Sequence, residues 1–323
     1  MSAKLFIVSG AVSTCTECGT HAGPAEGVCE NCGAALTAIR QLAVPRSAPG
    51  PDGQEPDRDE NQIGAIVLMT DRGIEHARNE DAGAAGIVVN SAGDRTRAIA
   101  AVVCDGVSTS ADAQNASSAA SAAGVDAMLK ALAASRDIPS VMVAGLADGA
   151  KAAAESTSPD GFSPASCTYT AAVVVPAEGG QVQIAIANVG DSRVYWLPEP
   201  PAQPQRLTVD DTVAQQLISA GIPADSPAVL RGEHTLTRWF GRDADREWDE
   251  SSVHTMTTAD RGVLILCSDG LHNYLPEAAD IARFCTGTAP DEAARALVDH
   301  ALHAGGHDNI TVIVIPIGPH ELG

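Results

Sequence analysis

Aromatic side chains make up only 3% of this 323-residue chain, so its core cannot be built around stacked rings. The 45% of residues that are apolar must fill the interior mostly with Ala, Val, Ile and Leu, a fraction ordinary for a globular protein. Basic residues are short as well. Twenty Lys and Arg stand against 41 Asp and Glu, a formal net charge of -21. Phosphate backbones and anionic lipid surfaces are held by Lys and Arg, so this balance argues against nucleic acid and membrane as partners, and against a nuclease. No apolar run approaches the roughly 18 residues of a membrane-spanning helix. The opening "KLFIVSGAV" has one Lys and no small-residue cleavage site, so the chain reads as cytoplasmic with reduced thiols. No internal repeat stands out, and the length suits one large domain or two smaller ones.

What the chain has in excess is carboxylate, a hard oxygen ligand suited to divalent cations. Several of these carboxylates stand where apolar runs begin or end. "GVLILCSDG" closes its run on Asp269, "IAAVVCDGV" on Asp105 and "VQIAIANVGDSR" on Asp191, while "GGHDNITVIVIPI" places Asp308 just before a run. One Asp-Gly is an ordinary turn, and Glu80-Asp81 alone would be a solvated face. Likewise Asp191 would be a hairpin tip, and Asp308-Asn309 a cap or turn. Four carboxylates at strand ends suggest a cluster on a sheet rim. Such a cluster can hold two ions a few Å apart, activate water and neutralise a phosphoryl centre.

Four of the eight Cys form two C-x-x-C pairs, Cys15 with Cys18 and Cys29 with Cys32, within "CTECGTHAGPAEGVCENCG". Four thiolates at this spacing read as a closed structural Zn²⁺ site, with disulfides or free thiols as the alternatives. His21 lies between the pairs and reads as a loop residue. Cys104, Cys167, Cys267 and Cys285 are isolated in apolar or mixed stretches and read as small buried hydrophobes. The organisation expected is a zinc ribbon over 1–40, a Pro-, Gly- and charge-rich linker over 41–61, and a large domain over 62–318.

Within the large domain, short strand-like runs are bounded by turn residues. "VVVPAEGGQVQI" and "IANVGDSRVYWL" both read as hairpins, which forces antiparallel pairing. Two helices follow one another over "NASSAASAAGVDAMLKALAAS" and "SVMVAGLADGAKAAAES". Two more are expected with Asp211 and Asp291 as N-caps and with Gly221 and Gly305 just past their ends. His303 and His307 read as partners of a helix C-terminus. Strand meanders with helices in blocks make the class α+β.

The ordered set "RNED", "VVCDGV", "SCTYTAAVV", "ANVGDSRVYWL", "LTVDDT", "LCSDGL" and "GGHDNITVIV" resembles the bacterial metal-dependent Ser/Thr protein phosphatases of type 2C, over about 62–318. That resemblance implies an α-β-β-α sandwich of two antiparallel sheets flanked by helices. It implies two Mn²⁺ or Mg²⁺ ions held by Asp105, the carbonyl of Gly106, Asp269 and Asp308. It further implies that Glu80 and Asp81 bind the metal shell, that Asp191 helps hold a third ion, and that phosphorylated proteins, a Ser/Thr kinase or its substrates among them, are the partners. Two departures stand out. His76 occupies the position where such proteins commonly carry a phosphate-clamping Arg, with Arg78 two residues on. "VSTS" (107–110) replaces the Gly-Gly-His segment that often follows the Asp-Gly. His76 and Arg78 are the candidates for contacting phosphate. The alternative is a weakly active or non-enzymatic scaffold that docks a signalling partner through the ribbon.

Overall fold

The computed structural model describes residues 13–14, 21–22, 31, 38–44, 57–89, 95–156, 164–244 and 248–318. Cys15, Cys18, Cys29 and Cys32 lie outside them, as does 45–56 of the expected linker. Ser13–Thr14 pairs antiparallel with His21–Ala22.

Two six-stranded antiparallel sheets carry the large domain. The first runs, in spatial order, Val253–Thr258, Val182–Val189, Tyr169–Pro176, Thr96–Cys104, Ala82–Val89 and Ala38–Val44. The second runs Gln205–Arg206, Arg193–Pro198, Gly262–Cys267, Ile310–Ile317, Ile66–Asp71 and Arg58–Ile63. Helices α1 (Ala113–Ala133) and α2 (Ile138–Glu155) pack on the first sheet. Helices α3 (Val213–Ser219) and α4 (Pro227–Arg231) follow the second sheet's edge in the chain. The short α5 (Asp269–His272), α6 (Ala278–Cys285) and α7 (Pro290–Ala304) lie on the outer face of the second sheet. The expected α-β-β-α sandwich is thus the observed architecture.

Strand periodicity explains why two cores form at each sheet. In Thr96–Cys104, Ala100, Val102 and Cys104 face the helices, whereas Ile99, Ala101 and Val103 enter the layer between the sheets. Successive side chains on a strand point to opposite faces, so a run buried on both sides reads as continuously apolar. With few aromatics available, the inter-sheet layer is filled by Val, Ile and Leu around one ring, Trp196, which is 1% exposed. Cys104, Cys167, Cys267 and Cys285 are all buried free thiols, as their settings suggested.

Four local expectations change. "VVVPAEGGQVQI" is a hairpin, with Pro176 paired to Val182. "IANVGDSRVYWL" is not, because Val182–Val189 belongs to the first sheet and Arg193–Pro198 to the second. The turn at Gly190–Ser192 crosses between sheets, since each strand finds its partners elsewhere, at Tyr169–Pro176 and at Gly262–Cys267. The N-cap of α3 is Thr212, whose hydroxyl accepts from Gln215 N, rather than Asp211. Helix α7 is capped by Ala289 with Pro290 at its first position, and Asp291 sits in the first turn, where its carboxylate meets Arg295 at 2.8 Å.

The fourth change concerns the domain limits. Ala38–Val44 and Arg58–Ile63 are edge strands of the two sheets, so 41–44 and 58–61 of the expected linker are sheet structure and the large domain does not start at 62. Both edges are tied in: Val44 is buried, Arg58 bridges Asp71 and Asp299 at 2.8 Å each, and Arg295 holds Glu60 at 2.7 Å. A chain truncated to begin at Gln62 is therefore expected to lose both edges and melt well below the full chain. A chain begun just before Ala38, which retains both edges, is expected to keep the full-length melting temperature by differential scanning calorimetry.

Candidate active site

The carboxylates picked out in the sequence converge on one cleft of about 550 Å³, lined by Asp105, Asp191, Asp269 and Asp308. Each arrives from a different element. Asp105 follows Thr96–Cys104, Asp191 lies in the sheet-crossing turn, Asp269 opens α5, and Asp308 precedes Ile310–Ile317. Apolar strands buried in the sandwich act as rigid supports, and the polar residue at each end is placed at the rim. Asp81 is 1% exposed, and its carboxylate accepts from Ser268 Oγ at 2.7 Å.

Polar contacts fix these positions. The Asp105 amide donates to Thr168 Oγ1 at 2.9 Å, and its carbonyl accepts from Thr168 N at 2.7 Å. Asn309 clamps the "RNED" loop: Oδ1 accepts from Glu80 N at 2.7 Å, and Nδ2 donates to the carbonyls of Arg72 and Arg78 at 2.7 and 3.1 Å. Two glycines allow the close approach of these segments. A Cβ on Gly106 would lie 2.6 Å from the Glu80 carbonyl oxygen, and one on Gly270 would lie 2.0 Å from that of Asn309.

The electrostatics are strained. Burial pushes the Asp81 carboxyl up to about 7 against the Ser268 hydrogen bond, and the charges of Asp308 and Asp269 add to the rise. Burial pushes Asp191 up to about 8, helped by Asp269 and Asp210 and opposed by Arg193. Asp105 is raised well above the carboxylate range by burial, then by the charges of Asp81, Asp269, Asp191 and Asp308. Burial, and then the charge of Asp308, raise Asp269. In this arrangement the carboxylates turn to one another, and among the described residues no three or more His, Cys, Asp or Glu are disposed to hold an ion as they stand. Two buried carboxylate oxygens among the described residues nevertheless lack any hydrogen-bond partner, Oδ1 of Asp81 and Oδ1 of Asp269. Clustered carboxylates with orphaned oxygens fit hard divalent cations, which supply both charge and coordination.

His76 and Arg78 do not line the cleft, and no Lys or Arg does among the described residues. Arg78 is exposed. The His76 ring instead meets Asp308, Nε2 to Oδ1 at 3.2 Å. A ring in that position is placed to orient the Asp308 carboxylate. His76→Ala is expected to raise the Mn²⁺ concentration needed for half-maximal turnover by roughly 10- to 100-fold. Turnover at saturating Mn²⁺ should stay within a few-fold of wild type, and His76→Asn should recover part of the metal affinity. A raised KM for phosphopeptide with unchanged metal affinity would restore the clamp role.

The "VSTS" segment noted in the sequence lines the cleft through Ser108, Thr109 and Ser110, but sequence reasoning missed the wall beside it, His234, Thr235 and Trp239, with His234 Nδ1 3.9 Å from Asp269 Oδ2. No repeated strand-end signal marks "EHTLTRWFG", which reaches the site only through the fold. His303 Nδ1 contacts the Asp299 carbonyl at 2.6 Å, as expected at a helix end, whereas His307 pairs with Glu75 at 2.6 Å.

No family model matches the chain. Over 143 residues it is 34% identical to the serine/threonine phosphatase stp of Listeria innocua, a stretch covering 44% of this chain and 55% of that protein. The chain thus spans about half the length of the curated relatives it matches first. Among solved structures, the PPM Ser-Thr phosphatase MsPP of Mycobacterium smegmatis superposes with a TM-score of 0.55 at 25% identity, over 80% of this chain and all (100%) of that one. The catalytic domain of the serine/threonine protein phosphatase PstP, solved with two manganese ions, gives 0.54 at 23% identity over 77% and 96%. The fold of this chain is that of solved bacterial Ser/Thr protein phosphatases, and over 143 residues its sequence is similar to one such phosphatase.

Proposed function

We propose that the protein is a metal-dependent Ser/Thr protein phosphatase that hydrolyses phosphoserine and phosphothreonine. The observation that carries this reading is the convergence of Asp105, Asp191, Asp269 and Asp308 in one cleft, with orphaned carboxylate oxygens on Asp269 and on Asp81. Asp105, the Gly106 carbonyl, Asp269 and Asp308 are the residues that would hold two Mn²⁺ or Mg²⁺ ions, with Glu80 and Asp81 supporting the shell and Asp191 serving a third. When bound, such ions lower the pKa of water and neutralise phosphoryl oxygens.

The chain's own residues do the rest. The hydroxyls of Ser108 and Thr109 offer donors to the phosphoryl oxygens in place of an Arg fork, while the Ser110 hydroxyl is spent within the loop, donating to the Val107 carbonyl and accepting from Ser166 N. Water attacks phosphorus, the bond from phosphorus to the Ser or Thr oxygen breaks, and that oxygen takes a proton. His234 is the imidazole on the cleft wall that can hydrogen-bond this leaving oxygen. Phosphoproteins are the substrates, with a Ser/Thr kinase or its targets among them. Cys15, Cys18, Cys29 and Cys32 hold one structural Zn²⁺ and serve a partner rather than the reaction, and the cytoplasm is the compartment. No helix among the described residues is long and apolar enough to cross a membrane.

A second reading, a scaffold with weak or no activity, is favoured by one observation: no Lys or Arg lines the cleft among the described residues. Initial rates on p-nitrophenyl phosphate and on a phosphothreonine peptide, with Mn²⁺ and with EDTA, separate the two. Turnover only with metal is expected. Turnover undiminished by metal stripping defeats the metal assignment, and none in saturating Mn²⁺ leaves the scaffold.

A further inference from the structure

We propose that Asp243 and Trp239 form a subsite for a basic side chain, Lys or Arg, adjacent to the phosphorylated residue of the substrate. The inference rests on the phosphatase reading above. Both residues line the same cleft as the carboxylates, and Asp243 is the lining carboxylate not assigned to ions. Trp239 Nε1 donates to Asp243 Oδ1 at 3.0 Å, which fixes the carboxylate at the exposed rim. A half-buried indole beside a carboxylate suits a guanidinium or ammonium group, which the ring face and the negative charge both attract. The lining holds no Lys or Arg among the described residues to compete for Asp243.

The rim is also rigidly placed with respect to the reacting centre. Phe240 pairs with Cys167 and Gly241 with Ser166 in a short antiparallel ladder. Gly241 is packed so closely that a Cβ there would meet Ser166 Oγ at 2.7 Å and Asp243 Oδ1 at 3.0 Å. Phe240 is fully buried and stacks on Tyr169 at 4.7 Å between centroids. One residue past Cys167, Thr168 holds the backbone of Asp105. The distance from the acidic rim to the metal-side carboxylates is therefore set by backbone pairing, as a subsite of fixed reach requires. An acidic phosphopeptide would meet like charge there.

The test uses the full chain in Mn²⁺ and two phosphothreonine peptides that differ only in Arg or Glu on either side of the phosphoresidue. Wild type should favour the Arg peptide in kcat/KM by about fivefold or more, and the preference should shrink with added salt. Asp243→Asn should remove most of it and Asp243→Lys should reverse it, while p-nitrophenyl phosphate turnover stays within twofold. Trp239→Phe, which keeps a ring but loses the donor to Asp243, should weaken the preference partly. Equal use of both peptides by wild type, or an unchanged ratio in Asp243→Lys, overturns the subsite. Peptide binding by fluorescence anisotropy is read in parallel. A binding preference without turnover upholds the subsite and removes the phosphatase reading, and turnover without preference does the reverse.

Discussion

Asp105→Asn is expected to cost at least about 100-fold in Mn²⁺-dependent turnover and, in metal-free buffer at pH 7, to melt at a higher temperature than wild type. The two effects have one cause. Burial and four neighbouring carboxylates raise Asp105 well above the carboxylate range. A group whose folded pKa exceeds its unfolded value destabilises the fold once pH passes the unfolded value, because the unfolded chain ionises more readily. Asn keeps the volume and removes that penalty, so the metal-free fold gains stability at neutral pH. The same swap takes a negative charge from the ion shell, so the Mn²⁺-induced rise in melting temperature should shrink. The Asp105 backbone is held by Thr168 through two hydrogen bonds that the substitution leaves intact. Asp269→Asn and Asp308→Asn should lose activity similarly. Near-wild-type turnover at saturating Mn²⁺ in any of the three would remove that residue from the site, and an apo Asp105→Asn melting below wild type would contradict the repulsion argument.

Gly270→Ala should be strongly damaging for a single methyl group. Its Cβ would stand 2.0 Å from the Asn309 carbonyl oxygen and 2.9 Å from the carbonyl carbon, so backbone rather than a flexible side chain must yield. Asn309 cannot retreat cheaply, because its side chain is tied to Glu80, Arg72 and Arg78. The strain therefore passes to Asp269 on one side and Asp308 on the other. Overpacking of this kind costs about 3 kcal/mol, read as a fall in denaturant midpoint, and Mn²⁺ affinity should drop with it. Gly64→Ala provides the contrast. Gly64 has φ of 58° with nothing within 4 Å of a Cβ, so only backbone strain of about 1 kcal/mol is expected and turnover should be unchanged. Equal losses in the two variants would show that the Asn309 contact does not govern the site.

The residues that the sequence itself determined are those whose role is local. Continuous Val, Ile and Leu runs marked strands buried on both faces, and an Asp at the end of each run marked the rim. Asp105, Asp191, Asp269 and Asp308 could be grouped because the same signal repeats, although nothing in one stretch says which others it will meet. Buried cysteines were legible for the same reason, each lying in an apolar or mixed stretch. The strands Arg58–Ile63 ("RDENQI") and Val253–Thr258 ("VHTMTT") were not legible, since edge strands face water and carry no apolar pattern. Only the tertiary structure sent the strands flanking Asp191 into different sheets, because a turn's sequence fixes its bend but the partners available to each strand fix where it pairs. The same holds for His76. The resemblance to the type 2C phosphatases made it a candidate for contacting phosphate, whereas packing of the "RNED" loop under Asn309 places its ring against Asp308. Ser108 to Ser110 come with Asp105 along the chain, but His234, Trp239 and Asp243 meet the carboxylates only because the Phe240–Gly241 ladder brings a distant segment onto Ser166–Cys167. Side-chain chemistry is written position by position, whereas proximity between distant positions is a sum of packing choices that no short stretch contains.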